Sequence, residues 1–183
     1  GGIVGFHRET ESPNMFSARR VHFGEWTHIA VSYDGTEARI FLNGTHAGKK
    51  RQGAIVVPTK KVPLMIGALY YKGKPSGFFG GVIDDVRIWN VARSNVEIFR
   101  DMNRSLAGST PGLIADWKFD EGTDAFARDS VSAAAGGDGP TGRLGDGILE
   151  DRPLWIQSSS PQGRSKCCSC HAHGVPRAPV DWT

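Results

Sequence analysis

The sequence predicts an all-β fold: two antiparallel sheets packed as a sandwich, with one short α-helix. Three observations carry this. Residues 26–47 (WTHIAVSYDGTEARIFLNGTHA) alternate, so that Ile29, Val31 and Tyr33 share one face and Ala38, Ile40 and Leu42 share one face of the next strand. Asp34-Gly35 and Asn43-Gly44 cut that stretch, and both dipeptides suit the positive φ angles of type I′ hairpin turns. The 183 residues include 24 glycines and ten prolines, a turn density that favours short strands over long helices.

In chain order, residues 3–7 and 16–23 read as short β segments around a loop at 8–14. The 26–47 hairpin follows, and a basic, loop-like stretch leads to an apolar segment at 54–57. Residues 63–69 read as an apolar strand, 70–77 as a polar-aromatic loop and 78–89 as a return to β character. Gly80-Gly81 marks a bulge or a close backbone approach. Ser94 opens the helix: with Glu97 it makes an S-x-x-E capping box, in which each side chain satisfies an orphan amide. Val96, Phe99 and Met102 recur at helical spacing, and Gly108 and Pro111 end the segment. Residues 113–119 are another strand. The Ala/Gly/Asp-rich stretch 124–142 lacks an apolar period and reads as a long loop, followed by edge strands at 143–149 and 154–156. From residue 158 onward nothing builds a core, so 1–157 is read as one domain and 158–183 as a Cys/His-containing tail or linker.

Composition excludes several classes. Apolar residues make up 39% and charged residues 22%, as in a globular domain. The net charge of +3 is scattered, and its densest part (Lys49, Lys50, Arg51, Lys60, Lys61) reads as a solvated hairpin end rather than a nucleic-acid footprint. No apolar run approaches the roughly 20 residues of a membrane helix. The start at Gly1, without Met or a leader, reads as a piece of a longer or processed protein.

Three ordered blocks carry a family likeness. They are Trp26-Thr-His28 through Tyr33-Asp-Gly with Arg39-Ile-Phe-Leu-Asn43-Gly44; Phe79-Gly-Gly-Val-Ile-Asp84-Asp85-Val-Arg87-Ile-Trp89 through Arg93-Ser94; and Pro111-Gly-Leu-Ile-Ala-Asp-Trp117-Lys-Phe119-Asp-Glu-Gly122 with Asp129-Ser130 and Trp155. In this order they resemble laminin-G-like jelly rolls of the concanavalin-A-like superfamily, including the pentraxin-type branch, over residues 20–157. The resemblance implies an all-β jelly-roll sandwich. It also implies a non-catalytic recognition or adhesion module in a larger secreted or cell-surface protein, binding glycans or proteins through its loops. Two departures stand out. Only 25 residues precede the W-x-H block, so the sandwich is short of its first strands or completed by another segment, even a neighbouring chain. Where pentraxin-like members carry acidic calcium ligands, this chain has Ala68-Leu69-Tyr70-Tyr71. The competing reading is a structural module of a large assembly without a soluble ligand. A glycoside hydrolase is a third.

The residues themselves offer several sites. Tyr70, Tyr71 and Lys72, followed by Gly73 and Pro75, are ligand-binding candidates, since loop aromatics stack on sugar faces; one Tyr folding over the core edge is the alternative. Asp120, Asp124, Asp129 and Asp138 are oxygen donors for calcium without EF-hand spacing, with Asp120 and Asp129 the metal candidates; no other cofactor is implied. Asp84-Asp85 with Arg87 is either a metal pair or an Arg–carboxylate fork. Glu9 and Glu11 are the acidic pair at i, i+2 spacing that a retaining glycosidase would use on one strand, but they sit in a loop beside Pro13; Asp116 and Asp120, at i, i+4, lie too far apart. His28 reads as a structural histidine beside Trp26. Asn43-Gly-Thr45 and Asn103-Arg-Ser105 are glycosylation sequons, the first also explained by its turn. Cys167, Cys168 and Cys170 with His171 and His173 form a soft-ligand cluster, open to metal binding, intermolecular disulfide or no role.

Overall fold

The computed structural model describes residues 1–5, 15–49, 63–122 and 126–131, and the backbone alone of 6, 50–51, 147–148, 154–156 and 167–170. The chain divides into two compact units, Gly1–Val57 with Trp89–Leu106 and Pro58–Ile88 with Ala107–Trp182. Among the described residues the named elements are antiparallel strands and one short helix, as the sequence predicts.

In the first unit, β1 (Gly2–Phe6) pairs with β2 (Met15–Val21) across an irregularity between Ile3 and Gly5. β3 (Ile29–Tyr33), β4 (Glu37–Leu42) and β5 (Thr45–Arg51) form a three-stranded sheet in that order. Met15, Ala38, Ile40, Leu42 and Ala47 make its core, with Val4, Val21 and Tyr33 packed against it. The stretch read as a basic loop is thus β5. Ala47 is its one strongly apolar residue. Pairing with β4 overrides the weak local propensity, and a register shift between Ile40 and Phe41 accommodates the extra residue.

The two turns differ. Asn43 (φ 49°) and Gly44 (φ 70°) are both left-handed, as a type I′ turn requires. At the other turn only Gly35 (φ 94°) is left-handed, which corrects the type I′ expectation there. Asp34 caps that turn instead: its Oδ1 accepts the amides of Thr36 (2.9 Å) and Glu37 (2.8 Å), and its Oδ2 accepts from Arg39 (2.7 Å). These bonds, the Glu37 amide first, hold the Asp34 carboxyl down at about 2. Arg39 also reaches Glu37 at 2.8 Å and Lys49 reaches it at 3.6 Å, so the described part of the basic run is a solvated, paired hairpin end.

Helix α1 (Asn95–Asp101) starts at the predicted capping box: the Glu97 amide donates to Ser94 Oγ, and the Ser94 amide donates to Glu97 Oε2 at 2.8 Å. Its buried residues are Ile98 and Asp101, whereas Val96 and Phe99, predicted as the apolar stripe, are exposed. A seven-residue helix presents only an i, i+3 pair inward, and here charge pairing fills half of it. Asp101 accepts from Arg93 and, bidentately at 2.8 Å, from Arg100, which with Arg93 holds its carboxyl below the usual range. The Arg93 guanidinium stacks 3.8 Å from the centroid of the Trp89 ring, and its carbonyl accepts from Ser32 Oγ at 2.9 Å, tying the helical segment to β3. Gly44 meets the helix closely: a Cβ there would lie 3.0 Å from Phe99 Cα and 2.8 Å from its Cδ2.

The second unit holds β6 (Leu69–Tyr71), β7 (Lys74–Ser76), β8 (Gly81–Ile83), β9 (Val86–Trp89, whose last residue belongs to the first unit) and β10 (Leu113–Trp117). β11 (Phe126–Ala127), β12 (Gly147–Ile148), β13 (Leu154–Ile156) and β14 (Cys167–Cys170) complete it. The pairings are β6 with β7, β9 with β10, β11 with β12, and β13–β14–β8 in one sheet. The core is Ala115, Trp117, Phe119 and Ala127, lined by Ile66, Ile83, Val86 and Ile88.

Four expectations change here. Residues 63–68 are irregular, with Gly67 at φ 75°, so the strand read at 63–69 begins only at Leu69. The loop read at 70–77 is a hairpin. The strand read at 78–89 breaks at Asp84-Asp85, where Asp85 is left-handed (φ 51°). Within the segment read as tail, Cys167–Cys170 forms β14 between β13 and β8, pairing Cys168 with both Trp155 and Ile83. The segment expected at 54–57 lies outside the described residues, as do Lys60 and Lys61 and the side chains of Lys50 and Arg51.

Two predictions follow from the turns. Gly44→Ala costs about 2–4 kcal/mol in urea unfolding, because a left-handed Cβ meets the Phe99 backbone, while Gly35→Ala, with open space around it, costs about 1–2 kcal/mol; equal costs refute the packing argument. Asp34 has a folded pKa below its unfolded value, so its contribution is complete above about pH 4 and is lost as pH falls towards 2. An NMR titration of the Asp34 carboxyl should show a midpoint near 2, and an ordinary midpoint near 4 contradicts the capping role.

Candidate ligand-binding site

The hairpin β6–β7 turns at Lys72 (φ 50°) and Gly73 (φ 83°), both left-handed, a two-residue type I′ connection that pairs Tyr71 with Lys74, Tyr70 with Pro75 and Leu69 with Ser76. Strand alternation sets Leu69 and Tyr71 on one face and Tyr70 on the other. Leu69, Tyr70 and Tyr71 are 65%, 41% and 60% exposed, so neither tyrosine folds away over a core. Lys72 Nζ lies 5.2 Å from the centre of the Tyr71 ring, within cation–π range.

The base of the hairpin is anchored. The Phe79 amide donates to Gly67 O at 2.7 Å, closing the two ends. Gly77 (φ 58°) lets Leu69 lie against its backbone, where a Cβ would stand 3.1 Å from Leu69 Cδ1. The exposed Phe79 ring rests on Gly81, so the predicted close approach at Gly80-Gly81 is made by Gly81 against that ring; Gly80 stands in open space. The sequence singles out Tyr70, Tyr71 and Lys72; the structure adds that Leu69 and Phe79 beside them are also exposed. Their only signal was an apolar residue at each end of the aromatic stretch.

The acidic candidates have other partners. Arg87 Nη2 meets Asp85 Oδ1 and Arg87 Nε meets Asp116 Oδ1, each at 3.2 Å, which makes the Arg–carboxylate fork and extends it to a second strand. Asp116 is fully buried, and its Oδ2 accepts from Ser130 Oγ at 2.9 Å and faces Lys118 Nζ at 3.8 Å. Asp129, also fully buried, accepts the amides of Asp116 and Val131 through Oδ1, both at 3.0 Å, beside its bridge to Trp117. Asp120 is exposed. Among the described residues no group of three His, Cys, Asp or Glu side chains is placed to hold a metal ion. Asp124 and Asp138 lie outside those residues, as do Glu9, Glu11, His171, His173 and the side chains of Cys167, Cys168 and Cys170.

The remaining candidates are local. The His28 amide donates to Asn43 Oδ1 and its carbonyl accepts the Asn43 amide, both at 2.8 Å, so this pair extends the β3–β4 ladder by one step and fixes the Asn43 side chain, while Leu42 and Thr45 close the turn itself. Asn43 is therefore engaged as a turn residue, while Asn103 is exposed just after α1.

Comparison with known proteins places the fold. A laminin-G-type family model, described as the concanavalin A-like lectin/glucanases superfamily, matches residues 4–99. Pappalysin-1 of Mus musculus is 32% identical over 102 residues, which are 53% of this chain and 6% of that protein, so the chain spans only a small part of this relative. The crystal structure of a Bacteroides ovatus protein, provisionally described as carbohydrate binding, is similar with a TM-score of 0.58 at 22% identity, over 79% of this chain and 42% of that one. At that identity the likeness is one of fold.

Asp129→Ala leaves two amides without their buried acceptor, and urea unfolding should show a loss of about 2–5 kcal/mol that is the same in calcium and in EDTA. A loss seen only with calcium present would make Asp129 a metal ligand instead.

Proposed function

The chain belongs to the concanavalin A-like lectin/glucanases superfamily, and on that premise we propose that it is a non-catalytic recognition module of a larger extracellular or cell-surface protein, binding a glycan through the β6–β7 hairpin. The exposure of Tyr70 and Tyr71 on a hairpin anchored at its base is the observation that carries this reading. Sugar rings present C–H faces that pack on aromatic rings, and a rigid turn loses little entropy when it binds. The fold likeness to a protein described as carbohydrate binding is consistent with it. The paired, buried state of Asp116 and the exposure of Asp120 favour recognition over acid–base hydrolysis. The exposed sequon at Asn103 fits a secreted context. No helix among the described residues is long and apolar enough to cross a membrane.

A second reading, a structural module completed by a neighbouring chain, has its own support. β3 lies at the end of the β3–β4–β5 order, and its residues Ile29 and Val31 are exposed although they share a face with the buried Ile40 and Leu42. An added strand would cover them.

On glycan and protein arrays, Tyr71→Ala should weaken the strongest signals about tenfold and leave the urea midpoint unchanged, because the ring is exposed. Unaltered array signals for both Tyr70→Ala and Tyr71→Ala contradict the hairpin as the binding site. A protein as the retained ligand would replace the glycan.

A further inference from the structure

We infer that the β6–β7 hairpin takes an anionic glycan, a chain bearing sulfate or carboxylate groups, and holds its charge directly on lysine without a bridging metal ion. This rests on the recognition reading above and narrows its ligand.

Charge is the first argument. Residues 52–83 contain no Asp or Glu, while Lys72 and Lys74 stand on either side of Gly73 at the hairpin tip. Among the described residues neither lysine forms an ion pair. The cations of the first unit behave differently: Arg39 is neutralised by Asp34 and Glu37, and Lys49 by Glu37. Two exposed ammonium groups held together without a carboxylate repel one another, and an arriving anion removes that cost.

Geometry is the second. Lys72 lies over the Tyr71 ring, and Lys74 is its cross-strand partner, so both cations border one aromatic surface. A pyranose stacked on Tyr71 would bring an equatorial or exocyclic sulfate or carboxylate within reach of either ammonium. Gly73 leaves open space at the tip: among the described residues nothing lies within 4 Å of a Cβ built there. A metal-bridged mode needs carboxylate ligands beside the sugar, and this segment supplies none. A nucleic acid backbone calls for a longer row of cations than two flanking a single ring.

The test is titration calorimetry of the chain with a sulfated heparin-type hexasaccharide and with neutral maltohexaose, in calcium and in EDTA, at low and high salt. The sulfated sugar should bind about tenfold tighter or more, weaken with salt, and lose about tenfold in the double variant Lys72→Gln/Lys74→Gln, as two exposed charge pairs would give. The urea midpoint of that variant checks that it is folded. Equal binding of the two sugars, indifferent to the lysines, overturns this inference and leaves the recognition reading standing. Binding of neither sugar, in calcium or in EDTA, overturns both. Sulfated-sugar binding that appears in calcium and is lost in EDTA overturns the metal-free mode. Equally tight binding of phosphatidylserine vesicles or of a thymidine oligonucleotide overturns the glycan as occupant.

Discussion

In the second unit, Asp116 is a fully buried carboxylate near the end of β10, and the surrounding structure is arranged to satisfy it. An isolated buried charge is strongly unfavourable, so it requires a guanidinium and further donors in fixed places. Arg87 supplies the first from β9, Ser130 a hydroxyl, and Asp129 takes the amide of Asp116 itself. These bonds set the register of β9 against β10 and fix the return of the chain at 129–131. They also account for the left-handed Asp85: turning the backbone there brings its carboxylate to the same guanidinium. The first unit uses the same device on a smaller scale, with Asp101 held by Arg93 and Arg100 and the Arg93 guanidinium stacked on Trp89.

This division of labour separates residues that build from residues that can bind. The paired carboxylates are consumed by the frame. Among the described residues of the second unit, one tight turn presents an aromatic and cationic surface, Tyr71, Lys72 and Lys74, with the exposed Leu69 and Phe79 at its foot. Their backbone is held by the Gly67–Phe79 bond, so the surface is presented with little conformational freedom to lose.

Much of the frame was legible in the sequence because local chemistry specifies it. The Asn43-Gly44 turn, the Ser94 and Glu97 box, the alternating β3 and β4 and the pairing of Arg87 with an aspartate are each written within a few residues or in a familiar charge pattern. The misses share a cause: long-range pairing decided them. β5 is polar and is a strand because β4 needs a partner; β14 pairs on one side with β8, far from it in sequence; Ile98 rather than Phe99 turns inward because Asp101 follows it toward two arginines. The hairpin at Lys72-Gly73 was read as a loop because Lys-Gly is a weaker turn signal than Asn-Gly or Asp-Gly. The exposure of Tyr70 and Tyr71 was nonetheless legible, since aromatics in a polar stretch between glycines can be read without knowing the strands.

The central claim is that recognition happens at this hairpin. Mapping amide chemical-shift changes on the chain during titration with a sulfated oligosaccharide tests it most directly. The account predicts saturable shifts concentrated between Leu69 and Phe79, with the Lys72 and Gly73 amides moving most. Saturable shifts centred on β3 or on α1, with the hairpin amides unmoved, would contradict it.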